Sequence, residues 1–213
     1  MAYSFTSPQR IIGTPNADAE APQVVRSGDN IFVLWHEFPE PTALQPDIFL
    51  ARSTDKGVAF KPRINLSNSP AEFSADEDIA VSGNRVYVVW VEGGEIAFRR
   101  DRENDGTFSN KIALNDPALG VVTRPQIVAS GNNVFVVWET ELTDAAGNIR
   151  SDIFFARSTD GGDSFKNRTN ISANAGDSFA PQIALLPDDR VLVTWRDFSG
   201  GQGAEIFFTR GQP

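Results

Sequence analysis

The side chains able to act as nucleophiles or proton carriers are few in kind. His36 is the one histidine, Tyr3 and Tyr87 are the two tyrosines, and there is no cysteine. Without cysteine there are no disulfides, thiolate metal sites or thiol nucleophiles. Catalysis through an imidazole has a single candidate, His36. Carboxylates are the abundant reagent: 28 Asp and Glu stand against 19 Lys and Arg, for a net charge of −9. Hydrolysis of a glycosidic bond requires two facing carboxylates, and the spacing of the acids singles out no one pair. The same balance argues against nucleic acid as a partner, because phosphate contact needs clustered Lys and Arg.

These groups must be placed by strands. Four apolar runs end in tryptophan: "NIFVLW" at Trp35, "RVYVVW" at Trp90, "NVFVVW" at Trp138 and "RVLVTW" at Trp195, spaced by 55, 48 and 57 residues. A shorter run precedes each ("PQVVRSG", "EDIAVSG", "PQIVASG", "PQIALLP"), and an acid–Ile segment follows ("DIFLAR", "EIAFRR", "DIFFAR", "EIFFTR"). A last short strand, such as "PRINLS" or "NRTNIS", completes the unit. The strands of a unit are named A to D in order. "SGDN", "SGNR" and "SGNN" between A and B are hairpin turns. Strands B and C are apolar at successive positions, so both faces must be covered. Short sheets covered on both faces and repeated about every 50 residues describe propeller blades. The prediction is one all-β domain, a four-bladed β-propeller with units at about 21–69, 74–117, 124–174, and 180–213 joined by 3–14. The fourth unit ends after strand C. Residues 4–12 align with a strand D and are expected to pair with the last blade, sealing the ring as a monomer and removing exposed sheet edges.

Between strands C and D lies Ser-x-Asp-x-Gly-x-x-Phe, as Ser53, Asp55, Gly57 and Phe60, and again as Ser158, Asp160, Gly162 and Phe165. "DRENDGTF" at 101–108 is a decayed copy. The carboxylate can accept backbone N–H groups across a tight turn, and Gly supplies positive φ. This pattern resembles the Asp-box, or BNR, repeat of sialidase-like β-propellers. The resemblance implies a structural turn on the face away from any active site, and it leaves a secreted location open. Sialidases of that family have six blades and use an arginine triad, a Tyr–Glu pair and an acid/base Asp. Here "QRIIG" at Arg10 and "PRINL" at Arg63 lack the family's proline. Neither tyrosine is placed for a channel mouth, so no catalytic residue is carried over.

Propeller topology puts the D–A and B–C loops at one end, the top. Of the 28 acids 19 fall there, with only Arg124, Arg150 and Arg196 among the basic residues, a surplus of 16 acids. Such a field favours cations and basic partners. Strand A starts bring Gln23, Asp78, Gln126 and Gln182 toward the axis; the positions after Trp add His36, Val91, Glu139 and Arg196. Asp47, Glu95, Asp152 and Glu205 open strand C farther out. The Gln positions would form an internal polar ring, and Asp78 with nearby carbonyls is the place for a Ca²⁺ ion, although no EF-hand spacing exists; otherwise no cofactor is expected. Phe38, Phe73, Phe179 and Phe198 map to top loops, where aromatic faces suit sugars. Asn65, Asn167 and Asn170 head Asn-x-Ser/Thr triplets. The leading expectation is a non-catalytic binding or scaffold module recognising a glycan, a peptide or a basic protein. The alternatives are a glycoside hydrolase with an unrecognised carboxylate pair, and a segment of a larger propeller or a minimal, engineered one without its own activity. No apolar run is long enough for a membrane span, and "MAYSFTSPQR" lacks the layout of a secretory leader.

Overall fold

Each Trp-terminated run forms the second strand of its own antiparallel sheet in the computed structural model, which describes residues 4–11, 15, 17–38, 44–144, 146–201 and 203–212. The first sheet holds β1 (Ala19–Ser27), β2 (Asn30–Glu37), β3 (Asp47–Ser53) and β4 (Ile64–Asn65). The second holds β5 (Ser74–Ser82), β6 (Arg85–Glu92), β7 (Glu95–Asp101) and β8 (Ile112–Ala113). The third holds β9 (Gly120–Ser130), β10 (Asn133–Thr143), β11 (Ile149–Ser158) and β12 (Lys166–Asn170). The fourth has β13 (Ser178–Leu185), β14 (Val191–Asp197) and β15 (Glu205–Gly211). No helix occurs among the described residues. The molecule is an all-β propeller of four sheets, as the repeat predicts.

The two apolar faces of each central strand go to different neighbours. Phe32, Leu34 and Leu50 of the first sheet share a buried cluster with Val86, Val88 and Trp90 of the second. Tyr87, Val89 and Phe98, on the other face of the second sheet, join Val134, Val136 and Trp138 of the third. Val137 and Ile153 of the third join Val193 and Trp195 of the fourth. In the second, third and fourth sheets the tryptophan face thus meets the preceding sheet. Each fully buried large side chain contributes about 1.5–3 kcal/mol, and neither face can be spared.

The repeated turn closes on itself at the bottom. Ser158 Oγ donates to Asp160 Oδ1 at 2.6 Å and accepts from Gly162 N at 2.8 Å, while Ser164 N and Oγ donate to the same carboxylate. Ser53, Asp55, Gly57 and Ala59 repeat the set. These bonds, led by the serine hydroxyl, hold both carboxyls below the ordinary Asp range. In the second sheet Asp101 takes the serine's place, accepting from Glu103 N and Gly106 N. Phe165 then meets Phe98 of the preceding sheet edge-on at 4.9 Å.

The ring closure expected of residues 4–12 is corrected. Residues 4–11 form no strand, and β15 pairs only with β14 among the described residues; Tyr3, Ile12 and residues 13–14 lie outside them. Ile11 packs instead beside Trp35, Phe49 and Ala51, the tryptophan face of the first sheet, which has no preceding sheet on it. The outward face of β15 stays open, with Ile206 77% and Phe208 63% exposed.

Gly162 has φ +81°, and a Cβ there would come within 2.6 Å of the Phe98 ring. Gly28 has φ +59° with nothing within 4 Å. Gly28→Ala is therefore expected to lose about 1 kcal/mol from backbone strain alone. Gly162→Ala should lose about 2–4 kcal/mol, because overpacking is added. Urea unfolding midpoints of the two variants check the difference.

Candidate active site

The top end is where β1, β5, β9 and β13 begin. Each carries a bulge there, between Glu20 and Gln23, Ala75 and Asp78, Thr123 and Gln126, and Phe179 and Gln182. The bulged residues are Ala21, Asp76, Arg124 and Ala180, with φ of 50°, 55°, 51° and 52°. Left-handed backbone at a non-glycine residue costs about 1–3 kcal/mol. Four such residues at one level of the repeat mark a constraint that the sequence hides, since none is a Gly or Asn.

The bulges turn polar groups across the sheet boundaries. Between the first and second sheets, His36 Nδ1 lies 3.0 Å from Glu77 Oε2, and its Nε2 lies 3.6 Å from Glu20. The Glu77 hydrogen bond is the main force raising the imidazole pKa above its ordinary value. Gln23 Nε2 donates to the Glu77 carbonyl at 2.5 Å. Between the second and third sheets, Asp76 Oδ2 accepts from Arg124 N at 3.1 Å and Asp78 Oδ2 accepts from Ile127 N at 2.8 Å. Burial raises the Asp78 carboxyl to about 6 against two backbone N–H bonds that lower it. Between the third and fourth sheets, Glu139 binds the Arg124 guanidinium at 3.0 Å and accepts from Ala180 N at 3.1 Å. Gln182 Nε2 donates to Gln126 Oε1 at 3.3 Å. Arg196 lies on the open side, 4.9 Å from the Phe198 ring and 5.7 Å from Phe179.

The structure therefore brings Asp76, Asp78, Arg124 and Glu139 into one polar group around residues 124–127. His36 and Gln23 belong to the first boundary, and Arg196 stands apart. Asp76 and Glu77 were not singled out in sequence, and Arg124 only as one of three basic residues at the top; the signal available was their place at the start of strand A. Asp47 and Asp152 are structural: each accepts from the Asn and Ser of its own D strand, Asn65 and Ser67 or Asn170 and Ser172. Those bonds occupy the amides of Asn65 and Asn170, the proposed glycan acceptors; the Asn167 side chain lies outside what is described. Glu95 is half-buried and Glu205 exposed.

Many top acids point inward rather than to solvent. Glu37, Glu92 and Asp197 each accept the Nε1–H of the tryptophan two residues earlier, at 3.1, 2.7 and 2.9 Å. Glu37, Asp47, Glu77, Glu92, Glu139, Asp152 and Asp197 are all buried. Counting acids at the top overstated the outward field, because about a third of them hold sheets together. Both Asp78 oxygens already accept backbone N–H groups, and the described residues contain no group of three or more potential metal ligands. Phe73 is 53% exposed beside β5, whereas Phe179 packs edge-on against Phe198. Cavities of ≈ 390 and ≈ 640 Å³ flank residues 6–11, away from this group.

No protein-family model and no curated protein matches the chain. Solved structures do. A protein of unknown function from Dyadobacter fermentans matches with a TM-score of 0.65 at 13% identity, over 94% of this chain and 68% of that one. The endo-arabinase from Bacteroides thetaiotaomicron gives 0.56 at 13%, over 91% and 75%. The Trypanosoma rangeli sialidase gives 0.57 at 15%, over 84% and 34%. The endo-arabinases and the sialidase among these structures are glycoside hydrolases, and this likeness in fold corrects the expectation of a non-catalytic binding or scaffold module. The chain is related in fold to the sialidase-like β-propellers.

Proposed function

We propose that this chain is a glycoside hydrolase, with Asp78 as proton donor and Asp76 as the second carboxylate. The observation that carries the reading is Asp78. Its carboxyl titrates at about 6 because it is buried, at the top of an inner strand. A general acid is most effective with a pKa near the working pH, and two carboxyls in unlike environments divide the acid and base roles. Asp76 supplies the contrast: it is exposed, and its left-handed backbone and the Arg124 amide fix its direction. The similarity in fold to endo-arabinanases and a sialidase supports the reaction class.

The substrate class that fits is a neutral glycan. Arg124, the cation of this group, is already paired with Glu139, and the other side chains are acids and amides. An acidic sugar would meet repulsion there. Phe73, three residues before Asp76, offers an exposed ring on which a sugar can lie. A tyrosine nucleophile is not part of the proposal, since Tyr87 is buried against Phe98. The Ser-x-Asp turns are, on this reading, the Asp-boxes of the superfamily, holding the bottom of the sheets away from the chemistry.

Chromogenic α-L-arabinofuranosides, soluble arabinan and a sialoside are the assays. A neutral substrate should turn over, with activity falling as pH rises through about 6, where Asp78 loses its proton. Asp78→Asn is expected to lower kcat by roughly 10²-fold or more while circular dichroism is unchanged. Inactivity toward every neutral glycoside, or full activity in Asp78→Asn, would sink the proposal.

Stability carries two separate pH signatures. The Asp78 pKa is raised on folding, so its contribution is present below the ordinary 3.8 and is lost as pH rises through about 6. His36 is also raised, so its contribution is complete below 6.5 and fades as pH rises through its higher folded value. Denaturation series across pH should show Asp78→Asn removing the lower slope and His36→Gln the upper one.

A further inference from the structure

Every sheet but the third fixes its tryptophan with a carboxylate of its own, and we infer that the third binds a free one, an anion of formate or acetate size. In the first, second and fourth sheets the Trp Nε1–H donates to the acid two residues on, which is Glu37, Glu92 or Asp197. In the third sheet Thr140 holds that position. Trp138 is 1% and Thr140 2% exposed. Neither Trp138 Nε1 nor Thr140 Oγ1 has a hydrogen-bond partner among the described residues. Buried polar groups are rarely left so, and two on one face of one strand point to a shared partner.

The third sheet keeps the rest of the carboxylate's surroundings. Phe49, Ala97 and Phe154 stand opposite the tryptophans of the first three sheets, and Asn65, Ala113 and Asn170 stand opposite them in turn. Two residues before these lie Arg63, Lys111 and Arg168, so the three cations occupy one place in the repeat. Arg63 reaches Glu37 at 2.5 Å, and Lys111 pairs with Glu92. Arg168 instead donates to the Ala113 carbonyl at 3.3 Å. Phe154 stacks on Trp138 at 6.1 Å, as Phe49 does on Trp35.

Trp138, Thr140 and Arg168 line a cavity of ≈ 50 Å³, closed by Asn115, Asp116 and Leu119 from the link that follows the second sheet. A single water takes up only about 30 Å³. The groups on offer are donors: an indole N–H, a hydroxyl and a guanidinium. Asn115 is already spent, since its Oδ1 accepts from Ile96 N at 2.7 Å and its Nδ2 donates to the Gly94 carbonyl at 3.1 Å. Asp116 is the one acid lining the cavity. It is exposed, with Oδ1 accepting from Ala118 N at 3.0 Å, and solvent screens its charge. Three donors, one of them cationic, select an anion, and a carboxylate can accept from more than one of them at once. The bound ion does for this sheet what Glu37 does for the first, so the stability of the boundary between the second and third sheets depends on it. None of these donors belongs to the group around Asp78, and binding here is independent of the reaction proposed there.

The chain has four tryptophans, and each gives its own indole N–H signal in a proton–nitrogen correlation spectrum. Titration of the parent chain with sodium formate, with sodium chloride holding the ionic strength constant, should move the Trp138 Nε1–H signal saturably and raise the thermal midpoint. Arg168→Gln, at an exposed position, should weaken formate binding by about 10-fold or more. Thr140→Glu should supply the carboxylate from within, raising the urea midpoint and abolishing the response to formate. A Trp138 signal that stays still in formate, or moves as far with added chloride, overturns the inference and leaves ordered water as the partner of these groups. A formate response unchanged in Arg168→Gln, or persisting in folded Thr140→Glu, overturns the assigned site.

Discussion

A strand with large apolar side chains on both faces cannot be buried by its own sheet. Val86, Val88 and Trp90 go to one neighbour, and Tyr87 and Val89 go to the other. Every sheet in this molecule therefore needs two partners, one for each side of its Trp strand. Stacking in sequence order satisfies the inner boundaries and leaves two outer faces, of which that of the fourth sheet mixes Ile206 and Phe208 with Thr194, Arg196 and Arg210. Ile11 covers part of one; Ile206 and Phe208 remain uncovered on the other. The open ends and the buried core are consequences of the same periodicity.

Stacking also decides where the acids go. A sheet boundary near the axis exposes amides that a bulge has turned out of their own ladder. The preceding sheet's carboxylate takes them: Asp76 takes the Arg124 amide, and Glu139 takes that of Ala180. At Arg124 and Ala180 the cost of the left-handed backbone is offset by a charge-assisted bond across the boundary. Tryptophan Nε1 groups collect Glu37, Glu92 and Asp197 by the same logic. The third sheet shows the rule by exception. Thr140 stands where the other sheets have an acid, and Trp138 Nε1 and Thr140 Oγ1 are buried with no partner among the described residues.

The sequence disclosed the parts that depend on residue type and spacing. The Trp runs and their doubled apolar pattern were enough for blades and strand order. The Ser158–Asp160–Gly162 turn was legible because each residue has a distinct backbone task. What stayed hidden depends on neighbours far along the chain. Glu77 and Glu139 look like surface acids until the next sheet packs on them. Ala21 and Ala180 give no sign of positive φ, because the bulge is imposed by the approach of four inner strands. Residues 4–11 resemble a fourth strand in sequence, but they form none, because pairing depends on a neighbouring edge that sequence similarity does not supply.

The placement of Asp78 joins stability to chemistry. Its carboxylate is close enough to the third sheet to hold Ile127 N and buried enough that ionisation is costly. Gln23, Gln126 and Gln182 fill the same position in the other sheets, and amides make boundary contacts there with no proton to lose. An amide would therefore have served the fold at position 78 as well. A carboxyl in its place makes the boundary sensitive to pH near neutrality, a liability for a purely structural contact. The one sheet that accepts this liability also places a second, exposed carboxylate two residues away. On the proposed reading, that departure from the repeat, more than the number of acids at the top, sets this boundary apart from the others.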